Sequence, residues 1–493
     1  MAIVQVNRKT RIIELFFQAA IVKILILGCG QVGAAIAQEL ALTPSNNITI
    51  IDTDEQALKS ISSRLDVRTM IGNGASPVML ENAGADDTEM LLALTRSDEI
   101  NLVACHLSSK LFNIPKRIVR VRHSDYLEYG LSEEEIEDGD KLSGSLNAFS
   151  VTDFIHPEQL VTEHLIGLLN YVRALQVLSF AHDTVRMVVA QSKAGDKIVG
   201  ESIGDMQTWL PENSYCQICA IYRNNRLIIP EHNTIIEEGD EICFIVDSLH
   251  MSSVMYVLFQ FKQNNHRMML AGGGNIGYRL AKKLEDKFHI KIIEYNEKRA
   301  EWLSENLNNT LILKGSATDE ALLEREYIDE IDVFVAVTND DENNIMSSLL
   351  AKNLGAKRVI TLVNRSRYMD LLIGNHIDIV VSPHQITIGN VLAHIRRGDV
   401  VAVHALRHGT AEAIEVVVHG DERTSSLVGR HIDEIKWPKG CRVAVVVRDK
   451  TVLLENNPIL NEGDRLVFFV ARRRVLRELE KLIQVKMGFF GKG

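Results

Sequence analysis

Two glycine-rich motifs of the same spacing are the residues of this 493-residue chain best suited to binding chemistry. Each follows a short apolar run and precedes a run of helical character, and an acid closes the next apolar run about 20 residues on. One such motif alone is weak evidence, but the complete arrangement is typical of a dinucleotide-binding turn, and here it occurs twice. The first set is Gly28, Cys29, Gly30, Gln31, Val32, Gly33 and Asp52, and the second is Gly272, Gly273, Gly274, Asn275, Ile276, Gly277 and Glu294.

The spacing of each motif assigns a separate task to each glycine. The first permits a tight strand-to-helix turn, the second lets the backbone approach a pyrophosphate, and the third lets the helix pack against the strand. The phosphates would then lie at a helix N-terminus, where unpaired amides favour negative charge. Asp52 and Glu294 would accept hydrogen bonds from an adenosine ribose and repel a 2′-phosphate, so both favour NAD over NADP. The alternative is a Rossmann repeat retained only for its fold.

Composition argues against several other kinds of site. A net charge of −11 and a pI near 5.8 provide no broad cationic surface, so we expect no nucleic-acid partner. Six cysteines in so long a chain do not form a disulfide framework. Cys216 and Cys219 lie in an apparent strand, where their side chains point to opposite faces, so we predict no metal site. Glu14 interrupts an early apolar run, and we interpret residues 1–21 as a short extension rather than a secretion signal.

The duplication extends well beyond the glycine motifs. Thr95 of the first copy corresponds to Thr338 of the second, and similar strand-like and helix-like runs alternate around both. This alternation predicts an α/β fold with two doubly wound, Rossmann-like parallel sheets. A second repeat, rich in alternating apolar residues and Gly-Asp turns, predicts a small α+β module after each sheet. The expected domains are residues 22–148 and 265–384 for the Rossmann-like units, and residues 149–260 and 385–485 for linking helices with their modules.

The order of these modules, together with four strings, resembles the TrkA family of tandem RCK (KTN) proteins. The strings are Gly-Cys-Gly-Gln-Val-Gly (28–33), Gly-Ala-Asp-Asp (84–87), Val-Thr-Asn-Asp-Asp-Glu (337–342) and Asn-Ile-Met-Ser (344–347). The resemblance covers nearly the whole chain and implies a regulatory subunit of the bacterial Trk potassium uptake system. Such a subunit binds NAD(H), with ATP and ADP as further candidates. It forms a homo-oligomeric ring of RCK domains, peripheral on the cytoplasmic face of the membrane, beneath an integral membrane subunit that translocates potassium.

The resemblance also implies further contact residues. They would be Asn73, Gly74, Thr95, Arg96 and Arg120 in the first copy, and Gly315, Ser316, Thr338 and Asn339 in the second. Thr95 ends the fourth apolar run, at the carboxyl edge where such sheets bind ligands. Two interpretations of Arg120 are open: a guanidinium that reaches the pyrophosphate, or one held in a strand-end ion pair. The alignment places Val363 at its position in the second copy, so we expect the two sites to bind nucleotide unequally.

The rival function is that of an NAD-dependent dehydrogenase. Such an enzyme needs a substrate domain whose histidine or lysine acts as acid or base beside the nicotinamide. The small modules instead contain alternating aliphatic residues and turn formers. A protein that serves only to build an assembly would not explain an acid at both positions that meet a ribose. The sequence therefore favours a regulator that is not an enzyme.

Overall fold

The architecture comes from a computed structural model, which describes residues 22–42, 46–129, 143–171, 173–224, 226–260, 267–372, 377–395, 400–406, 411–454, 457–471 and 475–484. The extension interpreted at residues 1–21 lies outside this range. The chain divides into two compact units, one ending at Pro157 and the other beginning at Glu158. Each is described separately.

The first unit contains a six-stranded parallel sheet of order β3-β2-β1-β4-β5-β6. Its strands are β1 (Val22–Leu27), β2 (Asn46–Asp52), β3 (Arg68–Ile71), β4 (Met90–Ala93), β5 (Lys116–Arg120) and β6 (Asp153–Ile155). Its helices are α1 (Gln31–Ala41), α2 (Glu55–Ser62), α3 (Pro77–Asn82), α4 (Asp98–Lys110), α5 (Ser124–Glu128) and α6 (Gly144–Ala148). Strand β1 is an almost continuous apolar run whose central residues are fully buried, as expected for a parallel strand covered on both faces.

The second unit contains an equivalent parallel sheet of order β14-β13-β12-β15-β16-β17. Its strands are β12 (Arg267–Ala271), β13 (His289–Glu294), β14 (Thr310–Lys314), β15 (Val333–Ala336), β16 (Arg358–Leu362) and β17 (Ile379–Val381). Its helices are α10 (Asn275–Leu284), α11 (Glu297–Asn306), α12 (Glu320–Arg325), α13 (Asp341–Asn353) and α14 (Ser366–Leu372). The strand order reverses beside the first strand of each parallel sheet, which confirms the predicted pair of doubly wound folds.

Two antiparallel sheets, also in the second unit, form the small modules. The first has the order β10-β9-β11-β8-β7 and the second the order β18-β19-β22-β20-β21. The strands are β7 (Ala174–Phe180), β8 (Val185–Gln191), β9 (Cys216–Arg223), β10 (Arg226–Ile228), β11 (Glu241–Asp247), β18 (Val400–Leu406), β19 (Ala411–Val417), β20 (Cys441–Arg448), β21 (Thr451–Val452) and β22 (Arg465–Val470). Their helices are α8 (Ile203–Gln207), α9 (Met251–Phe259) and α16 (Leu476–Ile483). One face of each sheet packs against the other around Phe180, Val445 and Phe469.

The linking helix α7 (Pro157–Asn170) packs against the second parallel sheet. Its buried residues Leu165 and Leu168 contact the same core as Ile360 of β16. Arg358 holds the end of the helix: its Nη1 donates to the Leu168 carbonyl at 3.0 Å and its Nη2 to the Ala174 carbonyl at 2.6 Å. Burial lowers the pKa of Arg358 to about 10, so the guanidinium stays charged at neutral pH, at the negative end of the helix dipole. The corresponding linking helix of the second copy is α15 (Pro383–Ile395).

The cysteine pair of β9 has the arrangement predicted from strand geometry. Cys216 lies in the core that contains Phe244 and Phe259, whereas Cys219 lies in the core shared by the two antiparallel sheets. Burial raises the pKa of Cys219 to about 12, which keeps it a thiol at neutral pH. Within the described residues, no group of histidine, cysteine and acidic side chains could hold a metal ion, and no helix is long and apolar enough to cross a membrane.

Two neutral histidines should make the stability of the second unit depend on pH. Burial lowers the pKa of His164 and His404 to about 4, and the nearby His404 adds to the effect on His164. An unfolded histidine has a pKa of about 6.5. On acidification the unfolded state therefore binds protons first, and the stability present above about pH 6.5 is lost as the pH falls toward 4.

The free energy of unfolding should decrease between about pH 7.5 and 5.5. We expect this decrease to be smaller by roughly 1 kcal/mol in His404→Phe than in the wild type, because the titrating group is removed. A phenylalanine at this position would face Phe180, whose ring lies 5.2 Å from that of His404. Denaturant unfolding at the two pH values measures the effect, with the exposed His289→Phe as the control. Equal pH dependence in wild type and His404→Phe would contradict the assignment.

Candidate nucleotide-binding sites

The first glycine motif forms the turn between β1 and α1. Gly28 has φ of 102°, which side chains rarely tolerate, and its amide donates to the Ile51 carbonyl at 2.8 Å. A Cβ on Gly33 would lie 2.0 Å from the Gly28 carbonyl oxygen, so the first and last glycines serve the turn itself. Gly30 differs, because a Cβ built on it meets nothing within 4 Å. This glycine leaves open space in front of the helix N-terminus.

The second motif repeats this division of tasks between β12 and α10. Gly272 has φ of 106°, and its amide donates to the Ile293 carbonyl at 2.9 Å. A Cβ on Gly277 would lie 2.1 Å from the Gly272 carbonyl oxygen, whereas one on Gly274 meets nothing within 4 Å. Both copies therefore keep a glycine where the protein itself does not need one. Open space at a helix N-terminus is where a pyrophosphate binds in a Rossmann fold.

Each predicted acid fastens the glycine turn to the end of the neighbouring strand. Asp52 accepts the Cys29 amide through Oδ2 and the Asp54 amide through Oδ1, the latter at 2.8 Å. Glu294 accepts the amides of Gly273 and Asn296, both at 2.8 Å. Both carboxylates remain partly exposed. The acids thus lie beside the turn at the position from which a carboxylate meets an adenosine ribose.

A buried asparagine shapes the next strand end in both copies. Asn101 Oδ1 accepts the Thr95 amide at 3.0 Å and the Thr95 hydroxyl at 2.7 Å, while its Nδ2 donates to the Arg120 carbonyl at 2.9 Å. Asn344 accepts the same groups of Thr338 at 2.9 and 2.6 Å and donates to the Leu362 carbonyl at 3.1 Å. Both asparagines are fully buried. Sequence reasoning did not count them among the site residues, although their recurrence at the same place in each copy was a usable signal.

Two further acids orient the loop that follows the fifth strand. Asp98 Oδ2 accepts the amides of Arg122 and His123 at 2.9 and 2.8 Å. Asp341 accepts the amides of Asn364 and Arg365, both at 2.9 Å. These loops border the strand end that carries Thr95 or Thr338, so the two acids support the edge of the site rather than face a ligand. They too were missed as site residues.

The remaining predicted residues lie at the same carboxyl edges, but several can offer only backbone. Cys29 and Val32 have buried side chains, and burial together with Asp52 raises the pKa of Cys29 to about 11. The Asn73 side chain accepts the Ala75 amide at 2.9 Å within its own turn. The following residues occupy the loop ends or first helical turns of the two sheets: Gln31, Gly74, Arg96, Asn275, Ile276, Gly315, Ser316 and Asn339.

The position of Arg120 corrects one detail of the alignment. Its carbonyl accepts the Asn101 side chain, and the carbonyl that accepts the equivalent Asn344 side chain is that of Leu362, not Val363. The sequence alignment was therefore one residue out at this strand. The second copy still has an apolar residue where the first has an arginine. Arg120 itself is 7% exposed at the end of β5.

Comparison with known proteins agrees with this architecture. The TrkA-N domain family matches residues 24–134 and 268–383, and the TrkA-C domain family matches residues 190–255 and 422–484. The Trk system potassium uptake protein TrkA of Halomonas elongata is 44% identical over 470 residues, covering 95% of this chain and 100% of that protein. TrkA homolog 2 of Methanosarcina mazei is 33% identical over 94% of this chain and 100% of its own length. The chain is a tandem RCK protein. It belongs to the TrkA family.

Solved structures share the fold at low identity. The crystal structure of the GsuK RCK domain has a TM-score of 0.58 and 17% identity, covering 94% of this chain and 95% of that one. The GsuK channel bound to NAD has a TM-score of 0.57 and 16% identity, covering 94% of this chain and 79% of that one. At such identities the likeness is one of fold.

The different tasks of the glycines lead to a contrast in stability. We expect Gly33→Ala to destabilise the first unit by about 1–3 kcal/mol or more, because the new methyl group overlaps the Gly28 carbonyl. Gly30→Ala should change the free energy of unfolding by less than about 1 kcal/mol, since its methyl group enters open space. Hydrogen exchange of α1 measures both changes. Equal destabilisation by the two variants would contradict the assigned tasks.

Proposed function

We propose that this protein is a nucleotide-sensing regulatory subunit that binds NAD(H) and gates a potassium-translocating membrane partner. The observation that carries the proposal is the open space before Gly30 and Gly274, each at a helix N-terminus and beside a carboxylate. The relatives named as Trk potassium uptake proteins support the transport role, and the NAD-bound GsuK channel supports NAD as the first ligand to test. ATP and ADP are further candidates, since they share the adenosine and phosphate groups.

The proposed ligand contacts follow from where the residues lie. Amides of the two glycine turns face the pyrophosphate, and Asp52 and Glu294 accept hydrogen bonds from the adenosine ribose. The strand ends at Thr95–Arg96 and Thr338–Asn339, and the loops at Asn73–Gly74 and Gly315–Ser316, border the rest of the ligand. Arg120 is a candidate phosphate partner in the first copy alone, which favours unequal sites. The segments 22–148, 149–260, 265–384 and 385–485 remain the proposed domains.

The small modules favour a regulator over a dehydrogenase. Their repeated polar residues form ion pairs: Arg223 contacts Asp240 at 2.8 and 2.7 Å, and Arg448 contacts Asp464 at 2.7 and 2.8 Å. Both aspartates are fully buried, so they lock their turns and cannot serve a substrate as acid or base. Since these repeated aspartates are occupied within the modules, we propose that the output of nucleotide binding is a conformational change.

Gating requires that nucleotide bind two conformations of the assembly with different affinities. We propose that RCK domains of several chains form a ring on the cytoplasmic face of the membrane, in contact with an integral membrane subunit. The coupling free energy of such systems is typically about 1–3 kcal/mol, or roughly 5–150-fold in affinity. By reciprocity, binding of the membrane subunit changes the affinity of the protein for nucleotide by the same factor as nucleotide changes its affinity for the membrane subunit.

Asp52→Ala should weaken binding of NAD(H) at the first site by about 1.5–3 kcal/mol, the scale of a hydrogen bond to a charged group. Calorimetric titration of the full chain, in a Gly274→Asp background that blocks the second site, isolates the effect. Asp66→Ala is a matched control, because Asp66 is an exposed acid of the same unit. If Asp52→Ala binds NAD(H) with unchanged affinity, the ribose contact is wrongly assigned.

Reciprocity gives a second test. Nucleotide affinity measured with and without the detergent-solubilised potassium-translocating subunit should differ by roughly 5–150-fold, and potassium flux should respond to nucleotide in the same sense. Chains carrying both Gly30→Asp and Gly274→Asp are the control and should assemble without responding. If flux and affinity are each independent of the other component, the protein serves assembly and not gating.

A further inference from the structure

The second glycine turn carries a basic residue that the first lacks. Arg299, in the first turn of α11, donates its Nε hydrogen to the Gly273 carbonyl at 2.8 Å. The amide of the same glycine donates to Glu294 at 2.8 Å. Both polar groups of Gly273 are therefore held by side chains, one anionic and one cationic. The guanidinium consequently lies beside the carboxylate that meets the adenosine ribose.

Two aromatic rings fix the orientation of this guanidinium. Its central carbon lies 4.1 Å from the centre of the Trp302 ring and 5.9 Å from that of Tyr278, and the two rings pack edge to face at 4.8 Å. Stacking of this kind stabilises a cation and restricts its rotation. Among the described residues, the terminal amino groups of Arg299 make no hydrogen bond. They are held in place and are available to a ligand.

The first copy has none of these side chains. Because Asp52 and Glu294 fasten equivalent turns, the positions of Arg299 and Trp302 correspond to Ala57 and Ser60. Tyr278, counted from its glycine motif, corresponds to Ala34. The basic cluster is thus a property of the second site and not of the fold.

The surrounding charges differ in the same direction. In the first copy, residues 52–59 contain three acids and one lysine, and the residue that pairs with Asp52 on the neighbouring strand is the uncharged Ile71. In the second copy, the equivalent residues 294–301 contain three acids and two basic residues. The residue that pairs with Glu294 on the neighbouring strand is Lys314, which brings the basic residues to three. The ribose end of the first site is therefore anionic, and that of the second is balanced. A carboxylate repels a 2′-phosphate, whereas a nearby arginine accommodates one.

We propose that the second site, unlike the first, accepts dinucleotides that carry a 2′-phosphate on the adenosine ribose, of the NADP(H) class, with Arg299 binding that phosphate. The inference rests on the proposed function, because the second turn must first hold a dinucleotide. It revises, for the second site, the expectation that Asp52 and Glu294 both favour NAD over NADP: two amides and the adjacent guanidinium offset the charge of the Glu294 carboxylate. A planar guanidinium with two free amino groups matches phosphate geometry, as a lysine would not. A single chain would then bind NAD(H) at the first site and NADP(H) at the second.

Single-site variants of the full chain separate the two sites. Gly30→Asp blocks the first and Gly274→Asp the second, each by placing a carboxylate in the open space before a helix N-terminus. In calorimetric titrations we expect Gly30→Asp to bind NADP+ within about tenfold of its NAD+ affinity, a gap of about 1.4 kcal/mol or less. Gly274→Asp should discriminate against NADP+ by about 100-fold or more.

Arg299→Met in the Gly30→Asp background tests the residue itself. We expect NADP+ affinity to fall about 10–100-fold, as for a lost charge-assisted contact, and NAD+ affinity to fall less than about threefold. The NAD+ affinity serves as a control for damage to the glycine turn, since the variant also removes the hydrogen bond from Arg299 to the Gly273 carbonyl. Equal losses for both nucleotides would make Arg299 a positioning residue only and overturn the inference. If this variant does not fold, Arg299→Gln should show the same selective loss, and an unchanged ratio of affinities would overturn the inference.

The outcomes also distinguish this inference from the function on which it rests. If Gly30→Asp binds NAD+ but not NADP+, the 2′-phosphate assignment is wrong and the proposed function stands. If neither folded single-site variant nor wild type binds either dinucleotide, the proposed function fails, and the inference fails with it.

Discussion

The hydrogen bond between the glycine turn and the carboxylate of the neighbouring strand is the contact on which each candidate site depends. In the first copy, Asp52 receives the Cys29 amide on its side chain and the Gly72 amide on its carbonyl, the latter at 2.9 Å. One residue therefore ties three consecutive segments together at the carboxyl edge of the sheet. Because these segments are fixed, the amides that begin α1 face open space instead of folding back onto the protein. The carboxylate stays partly exposed, so fastening the turn does not consume its capacity to accept hydrogen bonds.

The second copy reaches the same arrangement with different residues. Glu294 has one more methylene than Asp52, and the residue whose amide it accepts is Gly273 in place of Cys29. A Cβ on Gly273 would lie 2.2 Å from Leu303 Cδ1 and 3.2 Å from Glu294 Oε2. The longer acid and the packed leucine thus require the extra glycine, which the motif alone does not explain. The two turns are equivalent in backbone and distinct in surroundings, and the proposed difference in ligand chemistry arises from those surroundings.

Local sequence patterns were sufficient to predict the parallel sheets, the glycine turns and the acids at the strand ends. They were insufficient to predict the side-chain contacts that connect these elements. The glycine spacing, the apolar strands and the acid at each strand end are readable within a few dozen residues, so the doubly wound folds and the carboxyl-edge position of the motifs followed from sequence. Asn101 and Asn344 act across 19 and 18 residues, joining strand ends that only the folded sheet brings together. The misplacement of Val363 has the same origin, since a register is fixed by hydrogen bonds and not by counting residues. Arg299 was invisible because its role depends on a ring and a carbonyl from other segments.

The linking helix α7 explains why the second parallel sheet and the antiparallel modules share one unit. Its apolar face is part of the core of that sheet, and Arg358 binds two carbonyls where the helix passes into β7. Removing the partners of a buried charge is strongly destabilising, by about 3–5 kcal/mol, which equals or exceeds the coupling energies typical of allosteric ligands. We therefore expect that a nucleotide bound at the proposed second site would move α7 and the sheet together rather than separate them. Since Arg358 of β16 also binds the Ala174 carbonyl of β7, we expect a rearrangement of the second nucleotide edge that reaches β16 to be passed to the first antiparallel module.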